Sequence, residues 1–176
     1  MDYGIAKPES IVQSLGIIEK GMQIADFGCG AGYYTVAFAK LAEDGKVYAF
    51  DVMESALEAT QARAARFGLL NIVCVRANLE SPESTGLASG SLDFIWLANI
   101  LFQTEKKDEI VNEAARVLKP GGFLALVEWS DNALVGPKGY KISKTALQER
   151  LGNLGFFLVK EFPVDEQHYG LLLRKS

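Results

Sequence analysis

The fold of this chain follows from the stretch Met22-Gln23-Ile24-Ala25-Asp26-Phe27-Gly28-Cys29-Gly30-Ala31-Gly32, an apolar strand that leads into three glycines at alternate positions. Glycines in a strand–turn–helix unit let the backbone approach a ligand closely, because they carry no Cβ. The unpaired N–H groups at the start of the following helix point toward the same ligand. The stretch therefore predicts an α/β fold with a site for a small, partly anionic cofactor.

The spacing of the glycines narrows the kind of cofactor. The dinucleotide fingerprint is G-x-G-x-x-G, and its third glycine permits close packing of helix on strand. Here the series is Gly28-x-Gly30-x-Gly32, and Tyr33 stands where that third glycine would fall. A bulky tyrosine at this position argues against a bound pyrophosphate.

The length and composition indicate one domain. A chain of 176 residues buries roughly 70% of its unfolded surface and needs no metal or disulfide to hold it together. No apolar run approaches the ~18 residues of a membrane helix, so we expect no membrane partner. The N-terminus has neither a basic region nor a hydrophobic segment, so we expect a cytoplasmic protein without a secretory signal.

The charge disfavours one class of partner, and the cysteine content disfavours a disulfide or a metal site. The net charge is −4, and the lysines of Glu105-Lys106-Lys107-Asp108, the longest basic block, are neutralised by their neighbours. Nucleic acid is therefore disfavoured as a partner, although a local patch formed in three dimensions stays open. Cys29 and Cys74 are too far apart to suggest a disulfide or a metal clip, and we interpret both as small buried thiols.

An acidic residue at the end of the second predicted strand is the next candidate for the site. The strand Val47-Tyr48-Ala49-Phe50 ends in Asp51. In nucleotide-binding folds an acidic residue about 20 positions past the glycine turn binds the ribose diol. A carboxylate that accepts from both hydroxyls makes charge-assisted hydrogen bonds, each worth roughly 1.5 to 3 kcal/mol. The alternative is an aspartate that caps the helix predicted over 54–67.

Hydrophobic periodicity predicts the remaining elements. A short helix over 8–18 has an apolar stripe, although Gly16 weakens its interior, and we expect it beside the cofactor mouth. A strand over 71–76 is apolar in its centre, which is typical of a strand covered on both faces. The apolar runs 156–162 and 169–174 are joined by a link too short for a parallel crossover, so they predict an antiparallel hairpin. The other predicted elements are helices over 35–42, 105–118 and 143–154 and strands over 22–27, 91–98 and 123–129.

Two motifs in register carry a family resemblance. They are Asp-Phe-Gly-Cys-Gly-Ala-Gly at 26–32 and Arg-Val-Leu-Lys-Pro-Gly-Gly at 116–122, where Pro120 is expected to stop a helix and the glycines to make a turn. Together they resemble class I S-adenosylmethionine-dependent methyltransferases. The small-molecule (type 11) branch, which includes quinone and arsenite methyltransferases, is the most similar in sequence pattern. Arsenite as acceptor is disfavoured, because it needs a set of reactive cysteines.

The resemblance implies a Rossmann-like three-layer α/β sandwich. Its sheet is mostly parallel, with seven strands in the order 3-2-1-4-5-7-6 and strand 7 antiparallel. We expect a single domain over 1–176, with a short cap helix in 1–20 and the core in 21–176. The resemblance also implies an enzyme that uses S-adenosyl-L-methionine and transfers its methyl group to a small-molecule acceptor by direct displacement, for which a general base is optional.

The resemblance also implies roles for cofactor-binding residues. The glycine turn lies at the methionine end, Asp51 at the ribose, Ala98 and Asn99 below the sulfonium, and Asp26 organises the turn by hydrogen bonds. The family usually has an acid at the position of Asn78, and an amide oxygen accepts a hydrogen bond in its place; the alternative is a turn residue. The assigned residues are Asp26, Gly28, Gly30, Gly32, Asp51, Met53, Asn78, Leu79, Ala98 and Asn99.

The region after the fourth strand departs from one branch of the superfamily. DNA methyltransferases that act on amino groups carry Asn or Asp, two prolines and an aromatic residue at this place. Only Asn99 and Phe102 correspond here, and both prolines are absent. The chemistry of that branch is therefore not carried over.

Residues for the methyl acceptor are less determined. The loop over 130–140 is expected to help form the acceptor pocket. Aromatic side chains either line that pocket or simply pack, and the candidates are Tyr3, Tyr33, Phe102, Trp129 and Tyr140. His168, the only histidine, is either a general base or a satisfied histidine at a strand end.

Two alternative functions stay open from the sequence. One is a nicotinamide-dependent oxidoreductase, against which Tyr33 and the terminal hairpin argue. The other is a non-catalytic module that binds S-adenosylmethionine or serves as a scaffold. The sequence leaves open the acceptor, the methylated atom and the oligomeric state.

Overall fold

A computed structural model describes residues 7–136 and 138–176 of the chain. The helices are α1 (Pro8–Leu15), α2 (Tyr33–Leu41), α3 (Glu54–Arg66), α4 (Lys107–Val117) and α5 (Lys144–Asn153), with a 3₁₀ turn at Leu101–Gln103. The strands are β1 (Gln23–Phe27), β2 (Lys46–Asp51), β3 (Ile72–Arg76), β4 (Leu92–Ala98), β5 (Leu118–Trp129), β6 (Phe156–Phe162) and β7 (His168–Lys175). Within the described residues, no helix has the length and apolar character needed to cross a bilayer.

The seven strands form one sheet in the order β3-β2-β1-β4-β5-β7-β6. Neighbouring strands from β3 to β5 are parallel, and β7 is antiparallel to both β5 and β6. The predicted strand order and the antiparallel β7 are confirmed. Because parallel strands end at the same edge, the carboxyl ends of β1, β2, β4 and β5 lie together, at the place where open α/β sheets bind ligands.

Helices cover both faces of the sheet, which confirms the three layers. Alternate strand residues point to opposite faces, so Ile24 packs in the layer of α1 and α2, whereas Ala25 packs in the layer of α4 and α5. Leu57 of α3 packs on Ala49 of β2, on the same face as α1 and α2. The side chains of Phe27, Trp96 and Phe38 are fully buried and fill the space between layers.

The N-terminal helix is shorter than predicted. It ends at Leu15, because Gly16 adopts a left-handed conformation with φ 69° and closes the helix instead of weakening its interior. The buried residues Ile11, Val12 and Leu15 pack in the same layer as α2. No described residue of α1 lines the cavity at the carboxyl ends of β1, β2 and β4. The first six residues of the predicted cap lie outside the described part.

Two further predictions fail in detail. The strand β3 is an edge strand, so its centre is partly exposed, with Val73 36% exposed, and it is not covered on both faces. The helix α4 ends at Val117, one residue before the predicted end, and Leu118 is already extended, so Pro120 and the two glycines that follow it lie inside β5 and not in a turn. A proline disfavours helical backbone at the preceding residue, which moves the helix end upstream.

Candidate functional site

One cavity of about 320 Å³ lies at the carboxyl ends of β1, β2 and β4. This volume is within the range of small-molecule pockets, about 300 to 1,000 Å³. Eight of the ten assigned cofactor residues line it: Gly28, Gly30, Asp51, Met53, Asn78, Leu79, Ala98 and Asn99. The structure thus brings residues from four separate parts of the chain to one site.

The glycine turn is fixed by backbone contacts on its strand side. The N–H groups of Gly28 and Cys29 both donate to the carbonyl oxygen of Phe50, at 2.8 and 2.9 Å. Gly28 has φ 79°, and a Cβ at this position would lie 2.4 Å from Cγ2 of Ile100. Glycine is therefore required at position 28 for both backbone conformation and packing.

Helix α3 holds the same turn from the other side. The hydroxyl of Thr60 donates to the carbonyl oxygen of Gly30 at 3.0 Å, and Nε of Arg63 donates to that of Ala31 at 2.7 Å. A Cβ on Gly32 would approach Oγ1 of Thr60 to 2.7 Å, so Gly32 packs against α3 and does not line the cavity. Sequence reasoning missed Thr60 and Arg63; the only signal was a threonine in an alanine-rich helix.

The carboxylate of Asp51 is held in place by two backbone groups. Its Oδ2 accepts from the N–H of Gly30 at 3.0 Å, and its Oδ1 accepts from the N–H of Met53 at 2.9 Å. A carboxylate has about four acceptor positions, so two are left for a ligand. Helix α3 has no side-chain cap, which disfavours the alternative of Asp51 as a helix cap.

Asp26 lies behind the cavity. It is 2% exposed, and its Oδ2 accepts a hydrogen bond of 2.5 Å from the hydroxyl of Thr35 in the first turn of α2. Burial raises the pKa of Asp26 to about 7, against the opposing effect of the Thr35 hydrogen bond, and the charge of Asp51 adds to the rise. Asp26 therefore joins β1 to α2 and does not contact the cavity, in line with an organising role.

Asn78, in the loop after β3, is both a turn residue and a residue of the cavity. Its Oδ1 accepts from the N–H of Glu80 at 3.1 Å, as in a turn, yet the residue also lines the cavity. Leu79 is 8% exposed and packs into the core beneath. Glu80 lines the cavity as well and was missed, although it is the nearest acid to the place where the family carries one.

Beyond β4 the chain turns through an unusual residue. Asn99 has φ 56°, its N–H donates to the carbonyl oxygen of Val127 at 2.8 Å, and its own carbonyl accepts from Nε2 of Gln103 at 2.7 Å. The side-chain Oδ1 of Asn99 is buried without a hydrogen-bond partner among the described residues. Ile100, Gln103 and Thr104 also line the cavity and were not predicted.

The aromatic candidates for the acceptor pocket divide into two groups. Phe102 and Trp129 meet edge to face at 6.4 Å, and the N–H of Tyr140 donates to the carbonyl oxygen of Phe102 at 2.7 Å. Tyr33 lies apart, under the guanidinium of Arg63 at 3.6 Å. None of these four described candidates lines the cavity, and Tyr3 lies outside the described residues.

His168 is buried next to this aromatic group. Its Nδ1 is 2.8 Å from both carboxylate oxygens of Asp165, and its ring centroid is 4.1 Å from that of Trp129. Nε2 of His168 is buried with no hydrogen-bond partner among the described residues. One ring nitrogen is therefore satisfied and the other is not, so both interpretations of His168 stay open.

The two cysteines are closer in space than the sequence suggested. Cys29 and Cys74 pack in one small cluster with Ala49, and both are free thiols. Burial raises the pKa of Cys29 to about 12, which makes this thiol unreactive. Cys74 is only half-buried, because it lies on the edge strand β3.

The chain is similar in sequence to known proteins. Residues 25–126 match the family described as methyltransferase domain. A probable cobalt-precorrin-6B C(15)-methyltransferase (decarboxylating) of Saccharolobus solfataricus is 32% identical over 66% of this chain and 59% of its own length. A ubiquinone/menaquinone biosynthesis C-methyltransferase of Escherichia coli is 31% identical over 78% of this chain and 55% of its own length.

A solved structure is similar over almost the whole chain. An S-adenosylmethionine-dependent methyltransferase from Aquifex aeolicus has a TM-score of 0.82 and 26% identity, and the match covers 96% of this chain and 89% of that one. By contrast, the chain spans little more than half the length of the two curated relatives, 55 and 59%.

Proposed function

The chain belongs to the methyltransferase domain family, and from this membership we propose that it transfers a methyl group from S-adenosylmethionine to a small-molecule acceptor. The observation that carries the proposal is the convergence of the glycine turn, Asp51, the loop after β3 and the end of β4 on one cavity. The family match over 25–126 includes all four of these parts.

The residues present fit this cofactor. Two acceptor positions of Asp51 are free for the ribose hydroxyls, because only two N–H groups donate to its carboxylate. The space around Gly30 is open, with no atom within 4 Å of where its Cβ would lie, so the backbone there is accessible to the methionine end. The unpartnered Oδ1 of Asn99 accepts from the amino group of the same end.

The adenine end is assigned to the opposite part of the cavity. Met53 and Leu79 supply apolar surface, and the backbone N–H of Leu79 is assigned to a ring nitrogen. Asn78 and Glu80 offer oxygen acceptors for the adenine amino group. Asp26 and Gly32 support the turn from behind, without contact to the ligand.

The protein acts mainly by orientation. The chemistry supplied when S-adenosylmethionine is bound is an electrophilic methyl group for direct displacement. Fixing the two reactants in this geometry lowers the barrier by up to roughly 7 to 11 kcal/mol in favourable cases. The acceptor is assigned to the side of β5, where Phe102, Trp129 and His168 lie together.

Partners and location are part of the same proposal. No nucleic acid is expected, given the net charge of −4. A cytoplasmic location is supported by the two free cysteines, since disulfides are rare in reducing compartments.

Calorimetry with S-adenosylmethionine, S-adenosylhomocysteine and NAD tests the cofactor. We expect binding of both adenosyl ligands, none of NAD, and a loss of about tenfold or more in affinity for Asp51→Ala, because one charge-assisted contact is worth roughly 1.5 kcal/mol or more. Glu58→Ala, which removes an exposed acid of α3 outside the cavity, is the charge-matched control. Absence of adenosyl binding by the unmodified protein would refute the proposal.

Transfer itself is tested with a labelled methyl group and a panel of acceptors. Both curated relatives are named as carbon methyltransferases, so the panel begins with tetrapyrrole and quinol compounds that offer an acidic carbon. Label in any acceptor supports the enzyme. Cofactor binding with no transfer to any of them counts against the proposed activity.

A further inference from the structure

A buried carboxyl group lies behind the segment that follows β4. Glu128, at the end of β5, is 1% exposed. Its Oε1 accepts from the backbone N–H of Ile100 at 3.0 Å and of Leu101 at 2.8 Å. Its Oε2 is buried with no hydrogen-bond partner among the described residues. One side chain thus binds two consecutive N–H groups of the segment 99–103.

This segment forms one wall of the cofactor cavity. Asn99, Ile100 and Gln103 line it. The side chain of Ile100 also fills the space above Gly28, where a Cβ would lie 2.4 Å from Cγ2. A shift of the segment would therefore move both a wall of the cavity and the contact with the glycine turn.

The charged groups around Glu128 set its protonation. Burial raises the pKa of Glu128 to about 7, opposed by the backbone N–H groups of the segment and by the ammonium of Lys107 on α4. Lys107 is itself 6% exposed and donates to the carbonyl oxygen of Thr104, the residue directly after the segment. Tyr169 on β7 is paired with Glu128 across the two strands, and its phenol donates to the carbonyl oxygen of Ile142 at 2.9 Å; the charges of Glu128 and Asp131 add to the burial that raises the pKa of this phenol.

We propose that Glu128 is a positioning residue for the cofactor: its carboxylate fixes the segment 99–103 through the backbone N–H groups and so determines the shape of the cavity wall. The inference rests on the proposed function only in placing the cofactor in this cavity. An ionised carboxylate is a stronger acceptor for N–H groups than a protonated one. The segment is held most firmly when Glu128 is charged.

A purely structural role predicts different behaviour. In that case replacing Glu128 would lower the free energy of unfolding without changing how the affinity for a cofactor depends on pH. In a positioning role, the affinity changes with the charge of Glu128. Protonation below pH 7 weakens the hold on the segment, so affinity falls as pH decreases.

Stability is expected to change with pH in the opposite direction to affinity. The folded state holds the proton of Glu128 up to about pH 7, whereas the unfolded state releases it near the ordinary glutamate value of 4.5. The folded state therefore binds more protons between these two pH values, and the contribution of Glu128 to the free energy of unfolding decreases as pH rises through this range. Affinity for the cofactor rises over the same range, so the two effects are separable.

The test uses S-adenosylhomocysteine as the probe, by calorimetry between pH 6 and pH 8.5, with thermal unfolding in parallel. The variants are Glu128→Gln, which keeps the shape but not the charge, and Glu128→Ala. We expect the unmodified protein to lose affinity several-fold from pH 8 to pH 6. Glu128→Gln should bind about tenfold more weakly at pH 8 and show a flat profile, because a charge-assisted hydrogen bond is roughly twice as strong as a neutral one.

The matched control is Glu113→Gln. Glu113 is 3% exposed and also accepts from a backbone N–H, that of Thr85 at 3.1 Å, but it lies outside the cavity lining. It should lose stability and keep both affinity and pH profile. A Glu128→Gln protein that binds the probe like the unmodified one at every pH overturns the inference while leaving the proposed function intact. Absence of probe binding by the unmodified protein overturns both.

Discussion

The two walls of the cavity are built in different ways. The wall formed by the glycine turn and Asp51 is made of residues 26–53, in which the N–H of Gly30 bonds to Asp51 across 21 positions. The other wall, 99–104, has local hydrogen bonds, such as that from Nε2 of Gln103 to the carbonyl oxygen of Asn99, but it is also held by Glu128, which lies 28 positions from Ile100. The first wall has a recognisable motif, whereas the second has a shape that only the packing of distant segments provides.

The contact between Ile100 and Gly28 joins the two walls, so Gly28→Ala should have the largest effect. A Cβ there meets Cγ2 of Ile100 at 2.4 Å and forces a non-glycine residue to φ 79°, a strain of order 1–3 kcal/mol. We expect affinity for S-adenosylhomocysteine to fall by more than about tenfold, as measured by calorimetry. The double variant Gly28→Ala with Ile100→Ala removes the clash but not the backbone strain, so it should recover part of the affinity. No recovery would show that the walls are not coupled through this contact.

Thr60→Val tests the support of the first wall with a smaller effect. The hydroxyl of Thr60 is fully buried and donates to Gly30. Its loss leaves that carbonyl oxygen without this donor and costs about 1 kcal/mol, so affinity should fall about three- to tenfold. Thr85→Val is the control, since Thr85 is a buried threonine bonded to Glu113 away from the cavity. Equal losses of affinity in both variants would contradict a specific support of the turn.

The smallest expected effect is on the pH dependence of the free energy of unfolding. Burial raises the pKa of Asp26 to about 7 from 3.8, so the folded state binds more protons between these values. The contribution of Asp26 to the free energy of unfolding is therefore largest at low pH and decreases as pH rises toward 7. Asp26→Asn should flatten the urea-unfolding profile between pH 4 and pH 7 and leave affinity changed by less than about threefold, because Asp26 does not line the cavity. A large loss of affinity would instead assign Asp26 to the ligand.

The confirmed predictions depend on local sequence patterns. The motifs at 26–32 and 116–122 identified the family, which the match over 25–126 confirms, and the strand order followed from it. Element positions were predictable because apolar periodicity is a local property. The ends of α1 and α4 were misplaced, because a left-handed Gly16 and the restriction before Pro120 act at single positions that periodicity does not resolve.

Site residues outside the motifs escaped prediction for another reason. Thr60, Ile100 and Glu128 belong to segments without chemical motifs, and their roles arise from contacts made across the sheet. The acceptor side is similar: Trp129 and His168 come together because β5 and β7 are antiparallel neighbours, with these two residues directly paired. No local sequence pattern predicts these contacts.

The amino-acid sequence by itself determined the α/β class, the family and the residues of the glycine turn and Asp51. These depend on local spacing, glycine conformation and the alternation of apolar residues, all of which the chain carries within short windows. The tertiary structure alone decided the second wall, the burial of Asp26 and Glu128 and the cross-strand pairing of Trp129 with His168. The physical reason is that burial and a hydrogen-bond partner are properties of distant segments meeting, and they shift a pKa or fix a loop only once the sheet has assembled.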